Sequence, residues 1–103
     1  MIHQVKCEHQ FFEDVIRGNK LFEVRKNDRN YQVGDYLAMN ELTEDKTGYT
    51  RRSAMFVIDY VLKYENIPLA LSYDYVVLGL RPCTVINTDK RGSDVLTGKE
   101  RKI

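Results

Sequence analysis

A glycine followed by a dense run of charges is the feature of this chain that most restricts its fold. Residues 18–29 read GNKLFEVRKNDR, and Gly18, Lys20, Glu23 and Arg25 all stand within the first eight of them. A β-strand normally buries one face, so strands rarely carry this density of charge. A strand that keeps Lys20, Glu23 and Arg25 therefore lies on a solvated edge or lines a polar cleft.

The residues before this run predict a short amphipathic helix over residues 8–17. Its apolar side chains recur at helical spacing and form one stripe, Phe11, Phe12, Val15 and Ile16. Gly18 and Asn19 then provide a helix stop. Alternating apolar and polar residues predict a strand at 2–7 before the helix and a second strand at 20–26 after it.

The rest of the chain reads as strands and turns. Strands are predicted at 36–42, 49–64 and 73–80, a polar turn at 27–30, a hairpin loop at 43–48, and a short helix or irregular crossover at 65–72. Gly48 is the expected positive-φ residue of the hairpin. The apolar second half of the strand 49–64 predicts a central strand covered on both faces. This order predicts an α+β fold with a mixed or antiparallel sheet curled into a small β-barrel.

Length and composition predict one soluble domain with a modest core, because the chain has 103 residues, 43% hydrophobic and 30% charged. The apolar pattern stops after Cys83. Residues 84–103, with five basic groups against three acidic ones, predict a flexible basic C-terminal tail behind a domain at 1–83. A binding arm and a terminus without function both fit such a tail.

Charge and cysteine content narrow the class of protein. The net charge of +1 argues against a strongly electrostatic nucleic-acid binder, but residues 17–29 carry five basic groups against two acidic ones and allow a local anion site. Two cysteines do not make a disulfide scaffold, and the charged residues among the first 19 lead us to expect no signal peptide. No apolar stretch is long enough to predict a membrane span. No second Cys/His cluster supports a metal at Cys7 and His9. We expect a cytoplasmic monomer with no membrane partner, no cofactor and no metal.

The charged strand carries the candidate site. Alternation places Leu21, Glu23 and Arg25 on one face, and Phe22 and Val24, which we expect in the core, on the other. Glu23 and Arg25 then point together, away from the core or into a cavity. In such a pair the carboxylate fixes the planar guanidinium of Arg25, which can then donate two hydrogen bonds to a phosphate or a base edge. An exposed cross-strand ion pair is the alternative and, from chemistry alone, the more common arrangement.

Aromatic and titratable residues add two further expectations. Most of the seven tyrosines are expected to be structural, with Tyr31 and Tyr73 as candidates for stacking on nucleic-acid bases. No nucleophile elbow is present. In an enzyme, the acid–base candidates are Lys20 and Glu23, with Asp74 as a further one, because a desolvated lysine beside a carboxylate can transfer protons.

The helix ending in Gly18 and followed by Lys20, Glu23 and Arg25 resembles the G-x-K-x-x-E-x-R signature of ASCH domains, a group of the PUA-like superfamily. Residues 25–35 and 75–80 are similar to a small bacterial and phage branch of that group, whose members are mostly uncharacterised. The likeness covers about residues 2–81. It implies a PUA-like β-barrel with one N-terminal helix packed at an end, and a cleft lined by Lys20, Glu23 and Arg25 that binds RNA or modified nucleosides.

Some ASCH proteins are amidohydrolases that remove an acetyl group from N4-acetylcytidine. Their catalytic lysine matches Lys20, whereas their catalytic threonine falls where this chain has Glu23, and Asp74 is only a stand-in for their further acidic residue. We therefore expect binding of RNA or a nucleotide-like ligand, through Lys20, Glu23, Arg25, Lys26, Arg29 and Tyr31. An amidohydrolase that uses Lys20 and Glu23, or a protein-interaction module of phage origin with an exposed apolar patch, are the alternatives.

Overall fold

A computed structural model of the chain describes residues 1–87 and 94–97. Within them the chain forms one α-helix, a short 3-10 helix (Tyr64–Asn66) and six strands. The order is β1 (Ile2–Cys7), α1 (His9–Ile16), β2 (Phe22–Lys26), β3 (Tyr36–Leu42), β4 (Tyr49–Lys63), β5 (Tyr75–Asn87) and β6 (Asp94–Thr97). In this part of the chain no helix is long and apolar enough to cross a membrane.

The strands form one curled sheet in the order β1-β3-β4-β5-β2, with β6 paired to β5. Strand β1 runs parallel to β3, and the other pairs are antiparallel. The curl brings the edge strands β1 and β2 together. Arg25 Nη1 donates to the Lys6 carbonyl at 3.1 Å, and Arg29 Nη1 donates to the Gln4 carbonyl. We call this line between β1 and β2 the seam. The predicted α+β class with a mixed, curled sheet is confirmed.

The hydrophobic core lies between α1 and one face of the sheet. Alternate residues of three strands are buried, Leu37, Met39, Phe56, Ile58, Val76 and Leu78. The helix adds Phe12 and Val15, whereas its predicted stripe residue Phe11 is 42% exposed. Burial of each such large side chain contributes about 1.5–3 kcal/mol, so this face accounts for most of the stability.

The sequence prediction for β2 was wrong in the start of the strand and in the burial of Phe22 and Val24. The strand begins at Phe22 rather than Lys20, and Glu23 is buried while Phe22 and Val24 are about half exposed. The curl of the sheet turns the Glu23 face inward, toward the seam. Two cations beside Glu23 offset the cost of burying its carboxylate, so hydrophobicity did not decide which face is covered.

Strand β4 is central, as predicted, because it lies between β3 and β5. It is covered on one face only, however. Phe56 and Ile58 are buried, whereas Asp59 and Tyr60 at the end of the apolar run are exposed, since no described element covers the outer face. The outer face therefore carries half-exposed apolar side chains, with Phe22 and Tyr60 on either side of Gly79 in the strand register.

The hairpin between β3 and β4 differs from its prediction at the left-handed residue. Lys46, with φ 64°, takes this conformation, and Gly48 does not. The Asp45 carboxylate accepts hydrogen bonds from the hydroxyls of Thr43 and Thr47 and from the Thr47 amide. These bonds fix the turn around Lys46 without help from a glycine.

Strand structure continues past residue 80, where the sequence predicted the last strand to end. Residues 84–87 of β5 pair with β4, and β6 pairs with them in turn, so the predicted boundary at residue 83 falls inside a strand. Thr84, Val85 and Ile86 are β-branched, a strand signal that the polar composition around them concealed. Residues 88–93 and 98–103 of the predicted tail lie outside the described residues, and its flexibility stays a prediction.

Gly79 offers a test of the strand pairing, because it lies opposite an irregularity in β4 between Ile58 and Tyr60. A Cβ at Gly79 would stand 2.7 Å from Asp59 Oδ1 and 3.0 Å from Tyr60 Cβ. The Asp59 carboxylate can move aside, but Tyr60 Cβ is fixed to the backbone. We expect Gly79→Ala to lower the free energy of unfolding by about 1–3 kcal/mol in urea denaturation. Gly48→Ala is the control, since nothing lies within 4 Å of its added Cβ; equal stability of both variants would contradict this packing.

Candidate ligand-binding cleft at the seam

A cleft of about 510 Å³ opens at the seam, where the ends of β1 and β3, the first turn of α1 and strand β2 meet. We call it the seam cleft. Its lining residues are Lys6, Cys7, Glu8, Phe11, Lys20, Glu23, Val24, Arg25 and Leu42. Three of them, Lys20, Glu23 and Arg25, are the residues that the sequence singled out.

Glu23 holds two cations in fixed positions inside the cleft. Lys20 Nζ donates to Glu23 Oε1 at 2.9 Å, and Arg25 Nη1 donates to Glu23 Oε2 at 2.9 Å. Glu23 is only 8% exposed, so its carboxylate is largely removed from water. Removing charge from water is costly, and the two charge-assisted bonds offset that cost. The three side chains therefore form one rigid unit rather than loose surface pairs.

Local structure explains why Lys20 reaches this position. Gly18 takes the left-handed conformation that ends α1, with φ 82°, and the amides of Asn19 and Lys20 both donate to the Asp14 carbonyl. The Lys20 side chain then bends back, and its Nζ donates to the Phe22 carbonyl at 2.9 Å. The ammonium group lies 4.9 Å from the centre of the Phe22 ring. The G-x-K segment is thus a helix stop with an anchored lysine.

The cleft offers hydrogen-bond donors and positive charge to a ligand. Both Glu23 oxygens already accept bonds, while one N–H of Lys20 and part of the Arg25 guanidinium have no bond to Glu23 or to the seam carbonyls. The cleft lining carries three cations against two carboxylates, since Lys6 and Glu8 complete its charged groups. Phe11 adds a partly exposed ring 5.6 Å from Lys20 Nζ. An acceptor-rich, planar, anionic ligand fits this set of groups.

Cys7 lines the cleft but is not a nucleophile at neutral pH. Burial raises the pKa of its thiol to about 12, the negative charge of Glu23 adds to the rise, and Lys20 opposes it. A thiol with such a pKa stays protonated and unreactive. In the part of the chain that the structure describes, no three His, Cys, Asp or Glu side chains are grouped to hold a metal ion.

The other sequence-predicted site residues lie apart from the cleft lining. Lys26 and Arg29 are exposed, and Arg29 spans the seam through its bond to the Gln4 carbonyl. Tyr31 is 3% exposed and tilts against the His3 ring with centroids 4.7 Å apart, so it offers no face for a base to stack on. Burial raises the pKa of Tyr31, and the positive charges of Arg25 and Arg29, with a hydrogen bond to Arg25, oppose that rise. Tyr31 is therefore a buried hydrogen-bond partner of Arg25 rather than a stacking surface.

Tyr73 and Asp74 lie away from Lys20, Glu23 and Arg25. They line a separate cavity of about 280 Å³ with Asn27 and Tyr64 among its other residues. The Tyr73 ring meets the Tyr64 ring edge-on at 5.4 Å. Asp74 is thus no partner for Lys20 in acid–base chemistry. An exposed ring in the cleft lining is that of Phe11, which the sequence placed in the apolar stripe of the helix.

A polar cluster around Glu41 was missed by the sequence analysis. Glu41 is 1% exposed; its Oε1 accepts from Arg52 Nε at 2.8 Å and from Thr50 Oγ1 at 2.7 Å, and His9 Nδ1 lies 2.8 Å from its Oε2. Burial alone would raise the pKa of Glu41, but the hydrogen bonds from Arg52, Thr50 and His9 outweigh it and hold the pKa below its usual value. The only signal was one acidic residue at an inward position of β3.

Comparison with known proteins gives two matches. A family model described as a domain of unknown function (DUF3850) matches residues 2–80, which include the whole seam cleft. The chain is also 48% identical over 40 residues to a protein of Escherichia phage P2 described as an uncharacterized 12.9 kDa protein in the GpA 3' region. That match covers 39% of this chain and 37% of the phage protein. Neither description assigns an activity.

Proposed function

The chain belongs to the DUF3850 family of unknown function, and we propose from its seam cleft that it binds RNA or a nucleotide-like ligand. The observation that carries the proposal is the pair of 2.9 Å bonds by which Glu23 fixes Lys20 and Arg25 beside a partly exposed Phe11 ring. The resemblance to ASCH domains of the PUA-like superfamily supports the same ligand class. We propose a cytoplasmic protein that binds such a ligand as a monomer.

A nucleotide can make two kinds of contact in the seam cleft. A base can stack on the Phe11 ring, an interaction that contributes about 1–3 kcal/mol per base in single-strand binders. Phosphate or base-edge oxygens can accept from Lys20, Arg25 and Lys6, and each charge-assisted bond contributes about 1.5–3 kcal/mol. Because Glu23 already fixes the two cations, little side-chain entropy is lost on binding.

Titration of the wild-type protein tests the proposal. Labelled single-stranded oligoribonucleotides and free nucleotides are titrated at 50 and 200 mM salt, with fluorescence anisotropy and calorimetry as readouts. With about two phosphate contacts, the affinity for RNA should fall about sevenfold over this range and remain saturable. If no nucleic acid or nucleotide binds, the proposal is wrong. The exposed apolar side chains of the outer face then make a protein-interaction module the better explanation.

One contact favours a second candidate, an amidohydrolase acting on a modified nucleoside such as N4-acetylcytidine. Lys20 Nζ and Glu23 Oε1 are 2.9 Å apart in a cleft, which is the geometry of a proton-transferring pair. Incubation with N4-acetylcytidine, followed by chromatography for cytidine and acetate, tests this candidate. Release by the wild type and its loss in Lys20→Met would support hydrolysis, whereas binding without release would leave the protein a binder.

A further inference from the structure

We propose that the ligand of the seam cleft is a single-stranded oligonucleotide rather than a single nucleotide, because a second nucleotide site lies on the other side of β3. This inference rests on the proposed function. The second site is a pocket of about 320 Å³ lined by Asn40, Tyr49, Arg51, Arg52 and Ser53. We call it the outer pocket.

The outer pocket repeats the chemistry of the seam cleft. Its lining contains two arginines, two hydroxyl groups and an amide, and no acidic residue. Tyr49 is 53% exposed there, as Phe11 is 42% exposed in the seam cleft. Each site therefore combines an exposed aromatic ring with cationic donors. A ring for base stacking beside cations for the backbone is the combination that single-stranded nucleic acids require.

The strand register connects the two sites. Lys6 lines the seam cleft and pairs with Asn40 of the outer pocket, which pairs in turn with Ser53. Leu42 of the seam cleft pairs with Tyr49 of the outer pocket. Neighbouring strands lie about 4.8 Å apart, so the path from Lys6 to Ser53 is about 10 Å long. A single-stranded oligonucleotide that places one base in the seam cleft can therefore reach the outer pocket with its next nucleotides.

Arg51 lines the outer pocket but not the seam cleft, so its substitution can test the two sites separately. The neighbouring Arg52 is bonded to Glu41 at 2.8 Å and to Glu13 at 2.9 Å, so its substitution would also disturb the cluster around Glu41. Arg51 has φ 77°, a left-handed conformation that favours glycine, although it lies in a strand. Strained residues of this kind concentrate at ligand sites. An exposed guanidinium in the lining of the outer pocket, kept at such a position, points to a role in binding.

Two variants at Arg51 separate binding from stability. Arg51→Ala and Arg51→Gly both remove the guanidinium, but Arg51→Gly also relieves the left-handed backbone and should not lower the melting temperature. The matched control is Arg81→Ala, which removes an exposed arginine from β5, away from both sites. The probes are uridine monophosphate and a uridine hexaribonucleotide, titrated by calorimetry at 100 mM salt.

We expect the wild type to bind the hexanucleotide more than tenfold more tightly than the monophosphate. Both Arg51 variants should weaken hexanucleotide binding about tenfold and leave monophosphate binding unchanged, while Arg81→Ala changes neither by more than about twofold. Unchanged hexanucleotide affinity in the Arg51 variants, or an equal loss for both probes, would overturn the inference and leave the proposed function standing. If neither these probes nor the oligoribonucleotides and nucleotides of the first titration bind to the wild type, the proposed function itself is wrong.

Discussion

Glu41→Ala is expected to lower the free energy of unfolding by about 3 kcal/mol, because it removes the buried carboxylate from a partly buried network with Arg52, Thr50 and His9. The Glu41 side chain is 1% exposed and accepts hydrogen bonds from Arg52 and Thr50. Without it, Arg52 keeps only the partly exposed Glu13 carboxylate as an ionic partner among the described residues. The bond between His9 at the start of α1 and the sheet is lost as well. Urea denaturation at pH 7 measures the effect.

Two further variants separate charge from packing. Glu41→Gln keeps the shape of the side chain but not its charge, and should cost less than Glu41→Ala. Arg17→Ala breaks an exposed pair with Glu13 at 3.2 Å on the helix surface and should change stability by less than about 0.5 kcal/mol. A loss of less than about 1 kcal/mol in Glu41→Ala would show that the cluster is not a buried network.

The difference in unfolding free energy between wild type and Glu41→Gln should depend on pH, in a direction that the pKa of Glu41 determines. The hydrogen bonds around Glu41 lower its pKa in the folded state below the ordinary value of 4.5. A carboxyl with a lowered pKa contributes stability that is present above its ordinary pKa and is lost as the pH falls through the folded-state pKa. The stability difference between wild type and Glu41→Gln should therefore be present above pH 4.5 and shrink as the pH falls below that value. A difference that does not change down to pH 3 would contradict this assignment.

The sequence predicted the order of most helices and strands, and it predicted that two residues of the site share one face of β2. Strand alternation placed Glu23 and Arg25 on one face, and both do line the seam cleft. The same alternation assigned Phe22 and Val24 to the core, and the structure exposes them. Period-two patterning shows which residues share a face, but only the curl of the sheet decides which face is concave.

Contacts between distant residues account for what the sequence could not show. Glu41 contacts His9 and Arg52 because α1, β3 and β4 pack together. No local sequence pattern predicts contacts between residues so far apart in the chain. Tyr31 lies beside Arg29 in the sequence, which suggested a stacking surface. In the structure it is buried against His3. The extension of β5 depends on backbone pairing with β4, which hydrophobic patterning does not detect.

Arg25→Ala is expected to weaken RNA binding about ten- to a hundredfold. The reason is that a partly buried guanidinium fixed by Glu23 forms a charge-assisted contact worth about 1.5–3 kcal/mol, and truncation removes that contact entirely. Arg25→Lys keeps the charge but loses the planar fork, so its affinity should lie between those of the wild type and Arg25→Ala. Calorimetric titration of the wild type and both variants with one oligoribonucleotide gives the comparison.

Two controls make the Arg25 result specific to the seam cleft. Arg25 also donates to the Lys6 carbonyl, so each variant is checked by urea denaturation; the Arg29 bond to Gln4 still spans the seam in all of them. Lys102→Ala removes a cation of the predicted C-terminal tail, outside the described residues, and a lysine in such a tail contributes only a screened point charge. Its affinity should stay within about twofold of the wild type. Equal losses from Arg25→Ala and Lys102→Ala, with binding abolished at 200 mM salt, would show a nonspecific basic tail in place of a recognition cleft.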